Sequence, residues 1–149
     1  LNFSKWLISS IIKKKKTKNN DSLSKIASLL IHAAKIDESY TKEEKEIIKK
    51  TLLELGAQST SLERIMADAT IIEENSNQIL DFTREVKSIP ESDKIKIVES
   101  LWKIIYSNDN ADMYETNLMR RLSGLLYINN RTMADIKQKI KKELTKWLT

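Results

Sequence analysis

Residues 37–50 read DESYTKEEKEIIKK, and residues 108–121 read NDNADMYETNLMRR. In each stretch an oxygen-rich segment leads to a glutamate, Glu44 or Glu115. After two more residues come two apolar residues and two basic ones. The second stretch follows the first at an offset of 71 residues. A pattern that recurs at one offset indicates a duplicated unit, and oxygen-bearing side chains are the ligands that hard cations prefer.

The same offset relates positions outside the two stretches. The paired positions are mostly apolar: Ile26 with Ile97, Leu30 with Leu101, Leu55 with Leu126, Leu62 with Met133 and Ile65 with Ile136. Each half therefore reads as helix, oxygen-rich loop, helix, turn and helix. Two such units can close one core across a pseudo-twofold axis.

The composition predicts an all-α protein. Its 149 residues include two glycines and one proline, whereas strand-rich domains need many tight turns built from those residues. Charged residues make up 32% of the chain, and a Lys-, Glu- and Leu-rich composition is typical of helices. Without cysteine, and with a single histidine, the sequence excludes disulfides and thiolate or multi-histidine metal sites.

The apolar periodicity predicts about seven helices in two pseudo-symmetric halves, preceded by an N-terminal amphipathic basic helix. Gly56 is expected to end the second of these helices as a C-cap. Residues 71–76 are expected to form a connector, and residues 79–86 a helix of their own. Gly124 falls within a predicted helix, where a close approach of another helix would explain it.

The positive charge is concentrated in residues 1–18, which hold six lysines and no acidic residue. The net charge is +5, and the rest of the chain, with 20 basic and 21 acidic residues, carries −1. We therefore predict two regions: residues 1–21 as an amphipathic basic arm with a polar linker over 13–22, and residues 22–149 as the helical domain. Because the body is nearly neutral, nucleic acid is not the expected partner.

The arm carries an apolar stripe followed by lysines, which predicts contact with an anionic membrane surface. The residues predicted to touch the membrane are Phe3, Trp6, Leu7, Ile11, Lys13, Lys14, Lys15 and Lys16. The stripe is too short to span a bilayer. A second interpretation stays open, in which the arm folds back onto the body or remains mobile.

Three groups of residues link the sequence to a known family. They are Ala33-Ala34-Lys35-Ile36-Asp37 with Glu43-Glu44 and Ile47-Ile48-Lys49-Lys50; Asp81-Phe82-Thr83-Arg84 with Leu101-Trp102-Lys103-Ile104-Ile105-Tyr106; and Asp112-Met113-Tyr114-Glu115 with Leu118-Met119-Arg120-Arg121. In this order and spacing the chain resembles the tellurite-resistance TerB-like family of bacterial helical proteins. The resemblance covers about residues 22–145 and implies an all-helical fold of two related halves, in a cytoplasmic protein tied to stress or metal-ion responses.

The two loops suggest a divalent-cation site with five oxygen donors. These are Asp37, Glu44, Asn108, Asp112 and Glu115, and Ca²⁺ or Mg²⁺ is the ion that such donors would hold. The family loop usually reads Asp-Gly-x-x-x-x-x-Glu, whereas Glu38 and Asp109 replace its glycines here. A structural role competes with metal binding, because Thr41 with Glu44 and Asp112 with Glu115 both have the spacing of a capping box. We favour capping over a metal site.

The leading functional hypothesis is a non-enzymatic TerB-like module in metal, tellurite or envelope stress. It would act through protein partners in the cytoplasm, with a peripheral position at the inner membrane face as an option. A divalent-cation sensor using the two acidic loops is the first alternative, and a metal-dependent hydrolase is the second. No catalytic residue is predicted: His32 is expected to be a surface or core histidine, and Trp102 and Trp147 are expected to pack in the core.

Overall fold

The structure, a computed structural model, describes residues 19–37, 40–76, 79–107 and 113–146. These residues form seven α-helices and no strand. The helices are α1 (Asn20–Ala34), α2 (Lys42–Glu54), α3 (Leu62–Glu74), α4 (Ile79–Thr83), α5 (Glu91–Ser107), α6 (Met113–Leu125) and α7 (Asn130–Lys146), with 3₁₀ turns at Lys35–Asp37, Ser59–Ser61 and Val86–Ser88. The predicted all-α fold is confirmed.

The helix boundaries repeat at the offset seen in the sequence. Adding 71 to the first residue of α1 gives the first residue of α5, and adding 71 to both ends of α2 gives both ends of α6. Helix α3 corresponds in the same way to most of α7, whereas α4 and the 3₁₀ turn after it lie in the connection between the halves. The structure thus consists of two related three-helix units.

The ends of α2 and α6 have the same hydrogen-bonding pattern. After α2, the N–H of Ala57 donates to the Leu52 carbonyl at 2.9 Å, and Gly56 adopts a φ of +107°. After α6, the N–H of Ile128 donates to the Ser123 carbonyl at 2.9 Å, and Tyr127 adopts a φ of +56°. Both ends are Schellman motifs, in which the residue with positive φ lets later N–H groups reach the last carbonyls. The predicted stop at Gly56 is confirmed.

The core is built around α1, which is apolar on most of its circumference and is buried accordingly. Helix α1 packs most extensively on α3 of its own half, and α5 packs on α7 in the other. The halves are joined because α2 packs on α5 and α1 packs on α5 as well. Phe82 of α4 is fully buried, so the connection also contributes to this core.

Four local predictions were wrong. Residues 71–74 continue α3 rather than forming a connector, and the helix predicted over 79–86 is a short α-helix followed by a 3₁₀ turn. Helix α1 begins at Asn20, capped by the Asn19 side chain, so the last residues of the predicted linker form its first turn. Gly124 is exposed, and a Cβ there would meet no atom of another described element within 4 Å, so no close approach of a described helix explains it.

Within the part of the chain that the structure describes, no helix is both long enough and apolar enough to cross a bilayer. The residues predicted to contact a membrane, from Phe3 to Lys16, lie outside the described residues.

Candidate functional site

The first oxygen-rich loop ends in the predicted capping box. Thr41 is the N-cap of α2, and its side-chain oxygen accepts the Glu44 N–H at 3.1 Å. Glu44 reaches back, and its Oε1 accepts the Thr41 N–H at 2.8 Å. The Glu44 side chain is fully buried. A carboxylate at the first turn of a helix also benefits from the positive end of the helix dipole, so Glu44 has a structural role at this site.

Tyr40 lies beside this carboxylate and is half-buried. Burial, together with the negative charge of Glu44, raises the pKa of Tyr40 to about 12. The Lys45 ammonium lies 5.0 Å from the centre of the Tyr40 ring, which is a cation–π distance. The Tyr40 hydroxyl is buried and has no hydrogen-bond partner among the described residues.

The metal hypothesis remains a prediction. Of its five donors, the structure describes only the Glu44 side chain; those of Asp37, Asn108, Asp112 and Glu115 lie outside the described residues. Among the side chains that are described, no group of three or more His, Cys, Asp or Glu residues is arranged to hold an ion.

His32 lies at a junction of three helices. Its Nδ1 is 3.4 Å from Glu73 Oε1 of α3, and its ring centre is 5.0 Å from that of Phe82 of α4. The other oxygen of Glu73 accepts a hydrogen bond from Lys35 at 2.9 Å. Since Glu73 is largely buried, this group ties the C-terminal end of α1 to α3.

An open groove of about 510 Å³ lies between the N-terminal end of α1 and the middle of α3. Its walls contain Asn20, Asp21, Ser24, Arg64, Asp68, Ile71 and Ile72. Two acidic side chains and one basic side chain line it, so it has no single charge preference.

A smaller pocket of about 180 Å³ lies where α5, α6 and α7 meet; we call it the Trp102 pocket. Its lining combines apolar side chains with basic and polar ones: Trp102, Met119, Arg120, Ser123, Asn130, Met133, Ala134 and Lys137. Trp102, Met119 and Met133 are buried, while Arg120 is exposed and Lys137 is partly exposed. The pocket therefore has an apolar floor and a basic rim.

Polar contacts organise this pocket. The Lys137 ammonium lies 5.3 Å from the Trp102 ring centre, and the Tyr106 ring lies 5.8 Å from it in a stacked arrangement. Ser123 Oγ donates to the Arg120 carbonyl at 2.7 Å and lies 3.4 Å from Asn130 Oδ1. The indole N–H of Trp102 is buried and has no hydrogen-bond acceptor among the described residues.

This pocket was not predicted from the sequence. The prediction that Trp102 packs in the core is confirmed, since the residue is 5% exposed. Arg120 and Arg121 are both exposed. The available signal was the offset of 71, which pairs Leu52 with Ser123 and Met66 with Lys137, two apolar residues with two polar ones.

A family model described as tellurite resistance protein TerB matches residues 23–138. This match covers most of the chain, from the first turns of α1 into the middle of α7. The chain belongs to the TerB family. Neither a curated protein nor a solved structure matches it.

In this TerB-family chain, the family match includes both the capped loop at α2 and every residue that lines the Trp102 pocket. The loop residues have a structural role at the start of α2. The pocket combines an open apolar floor with cationic side chains, which is the composition of a binding site rather than of a sealed core.

Proposed function

We propose that this TerB-family chain is a non-enzymatic binding module in the response to tellurite, other metal or envelope stress, and that it acts through a protein partner. The chain belongs to a family whose description is tellurite resistance protein TerB, and this membership supports the link to stress. The observation that carries partner binding is the Trp102 pocket, because an apolar floor with a polar rim is the usual anatomy of a protein-binding hot spot.

The basic groups on the rim support the same proposal. No salt bridge among the described residues involves Arg120 or Lys137, whereas Lys139, also on α7, pairs with Glu99 at 3.0 Å. Cations beside an apolar opening favour the approach of a partner of opposite charge. The partner would thus neutralise charges that pair with no acidic side chain among the described residues.

The test is a deletion of the encoding gene in the native host, followed by growth in tellurite and in agents that stress the envelope. We expect the deletion strain to be more sensitive, and a plasmid that encodes the full chain to restore growth. A photoreactive amino acid placed at Arg121 should cross-link the chain to a discrete partner in those cells. Unchanged sensitivity to every agent would contradict the proposed role. Turnover of a substrate by the purified chain, abolished by Asp37→Asn, would contradict its non-enzymatic character.

The membrane position belongs to the proposal as well, on the basis of the six lysines and the apolar stripe in residues 1–18. Each lysine close to an anionic surface contributes about 1 kcal/mol of binding. The full chain should therefore sediment with phosphatidylserine vesicles, and a chain without residues 1–18 should not. Vesicle binding that survives the deletion would remove the arm from the proposal.

A further inference from the structure

We infer that the Trp102 pocket binds an acidic segment of a partner protein, and that one large apolar side chain of the segment enters the pocket while neighbouring carboxylates meet Arg120 and Lys137. This inference rests on the proposed function and names the class of partner. The divergence of the two halves, the size of the pocket and the charge of its rim support it.

The first half of the internal repeat has counterparts of three residues that line the pocket. In the first half, the positions equivalent to Trp102, Ser123 and Lys137 are Ile31, Leu52 and Met66. All three are buried, at 0%, 0% and 8% exposure, as ordinary members of the core. The first half thus shows how this fold packs apolar side chains at these positions.

The second half departs from that arrangement. Ser123 has less volume than its counterpart Leu52, and its hydroxyl donates to a carbonyl of its own helix. Lys137 replaces an apolar thioether with an ammonium group over the Trp102 ring. A shortened side chain in a core opens a cavity that costs stability. The buried indole N–H of Trp102, which has no acceptor among the described residues, adds to that cost. These losses of packing are understandable if the space serves a ligand.

The volume of the pocket decides what enters it. Sites that enclose a whole small-molecule ligand usually measure about 300–1,000 Å³, whereas this pocket measures about 180 Å³. One leucine-, methionine- or phenylalanine-sized side chain is a better match than a complete metabolite. Its attachment to a longer segment would let the rim contribute contacts outside the pocket.

The charge around the pocket decides the character of that segment. Among the residues that line it, Arg120 and Lys137 are basic and none is acidic. Arg120 is exposed, and so is Lys141, which follows Lys137 by one helical turn. Because a basic segment would be repelled and a neutral one would leave the rim unpaired, complementarity selects aspartate- and glutamate-rich sequences.

The experiment is an NMR titration of the ¹⁵N-labelled full chain with four synthetic nine-residue peptides. Each is composed of Asp and Glu around one central Leu, Met, Phe or Trp, and the readout is the assigned indole resonance of Trp102. We expect at least one peptide to move this resonance in a saturable way at about 1 mM, a concentration that reveals millimolar affinity. The same peptide with a central Ser, or with lysines in place of its acids, should move it little.

The internal repeat also supplies the variants. Lys137→Met and Ser123→Leu install the residues of the first half. Each should weaken binding of the peptide by about tenfold or more, since Lys137→Met removes a charge-assisted contact and Ser123→Leu removes the pocket itself. Arg120→Glu should weaken binding of the peptide as well. Because Arg120 is exposed, this variant keeps the test valid if Ser123→Leu fails to fold. Lys142→Met changes an exposed residue of α7 that does not line the pocket, and it serves as the matched control.

Several results would overturn the inference. One is a Trp102 resonance that responds to none of the four peptides. Another is a response to the serine peptide as strong as to the best of them, and a third is a response only to phosphatidylserine vesicles or to a DNA oligonucleotide. If no peptide binds while the gene deletion still sensitises cells, the proposed function stands and the partner binds elsewhere. If peptides bind but the deletion has no phenotype, the pocket assignment stands and the stress role fails.

Discussion

At the scale of single residues, the two glycines of the chain have opposite roles. Gly56 has a φ of +107°, a conformation that side chains with a Cβ rarely adopt, and it allows the Schellman end of α2. Gly124 lies within α6 in open surroundings, where a methyl group would meet no atom of another described element within 4 Å. Only the first of them is required by the backbone.

Substitution of the two glycines by alanine, one at a time, should therefore change the stability of the chain in opposite directions. Gly56→Ala should lower the free energy of unfolding by about 1 kcal/mol because of the strained φ. Gly124→Ala should raise it by about 0.5–1 kcal/mol, since alanine has the higher helix propensity. Urea denaturation of the two variants and the parent chain measures both effects. A loss of stability in Gly124→Ala would show that α6 is packed more tightly than described.

Tyr40 predicts a dependence of stability on alkaline pH. Its pKa rises from 10.0 to about 12 in the folded chain, first through burial and then through the charge of Glu44. The unfolded chain therefore loses this proton at lower pH than the folded one. The contribution of the Tyr40 proton to the free energy of unfolding is fully present below pH 10. It is lost as the pH rises from 10 to about 12.

Tyr40→Phe tests this dependence. The parent chain should lose more stability than the variant between pH 10 and pH 12, and the parent-minus-variant absorbance at 295 nm should titrate near pH 12. Measurement at pH 8 provides the baseline for both proteins. Parallel stability curves for parent and variant through pH 12 would refute the assignment.

At the scale of helices, α5 connects the ends of two others through lysines. Lys94 is buried, and its ammonium donates to the Leu126 carbonyl at the end of α6 at 3.0 Å. Lys96 is more exposed and reaches the Glu54 carbonyl at the end of α2 at 3.4 Å. Cations at helix C-termini satisfy free carbonyls and interact favourably with the helix dipole.

These lysines form a matched pair for mutation. Lys94→Ala should cost about 1–3 kcal/mol of folding free energy, because a charge-assisted hydrogen bond and the packing of a buried stem are both lost. Lys96→Ala should change stability by no more than about 0.5 kcal/mol, as expected for an exposed site. Urea unfolding of both variants gives the comparison. Equal effects would mean that burial does not strengthen the Lys94 contact.

The C-terminal ends of α2 and α6 have the same backbone geometry although the residue with positive φ differs between them. Tyr127 stands at the position equivalent to Gly56 and keeps a positive φ. Its ring is exposed, and the Lys87 ammonium lies 5.3 Å from the ring centre. The Schellman motif is thus preserved in α6 by its hydrogen bonds, although a glycine would adopt this φ at lower cost.

At the scale of the whole molecule, the halves are not independent folding units. Helix α2 of the first half packs on α5 of the second, and the buried hydroxyls of Thr51 and Ser100 lie 2.8 Å apart across this contact. Separating the halves would expose the apolar faces of α1 and α5 together. The core therefore requires both copies.

We accordingly expect the intact chain to unfold in one cooperative transition, and residues 19–76 alone not to fold. Far-UV and near-UV circular dichroism of the intact chain should give coincident urea curves. The fragment should show low helicity and no cooperative melting. A cooperative transition in the isolated fragment would demonstrate that the first half is stable by itself.

The sequence was sufficient to predict the all-α class, the duplication and the family, because periodicity, cap spacing and a constant offset are local or repetitive signals. It also predicted the capping box of Thr41 and Glu44, whose two hydrogen bonds span only three residues. It failed at residues 71–76, which were expected to form a connector. Helix α3 continues to Glu74 because it packs against α1, and Glu73 accepts a hydrogen bond from Lys35 beyond the end of α1.

The Trp102 pocket was decided only by the tertiary structure. Its lining comes from three helices, and no pattern within one helix reveals that Ser123 and Lys137 replace core residues of the other half. Only the packing of α5, α6 and α7 shows that a shortened side chain leaves space beside Trp102 and that cations stand at its edge. Cavities arise from how side chains of distant segments meet, whereas helices and their caps arise from neighbours along the chain.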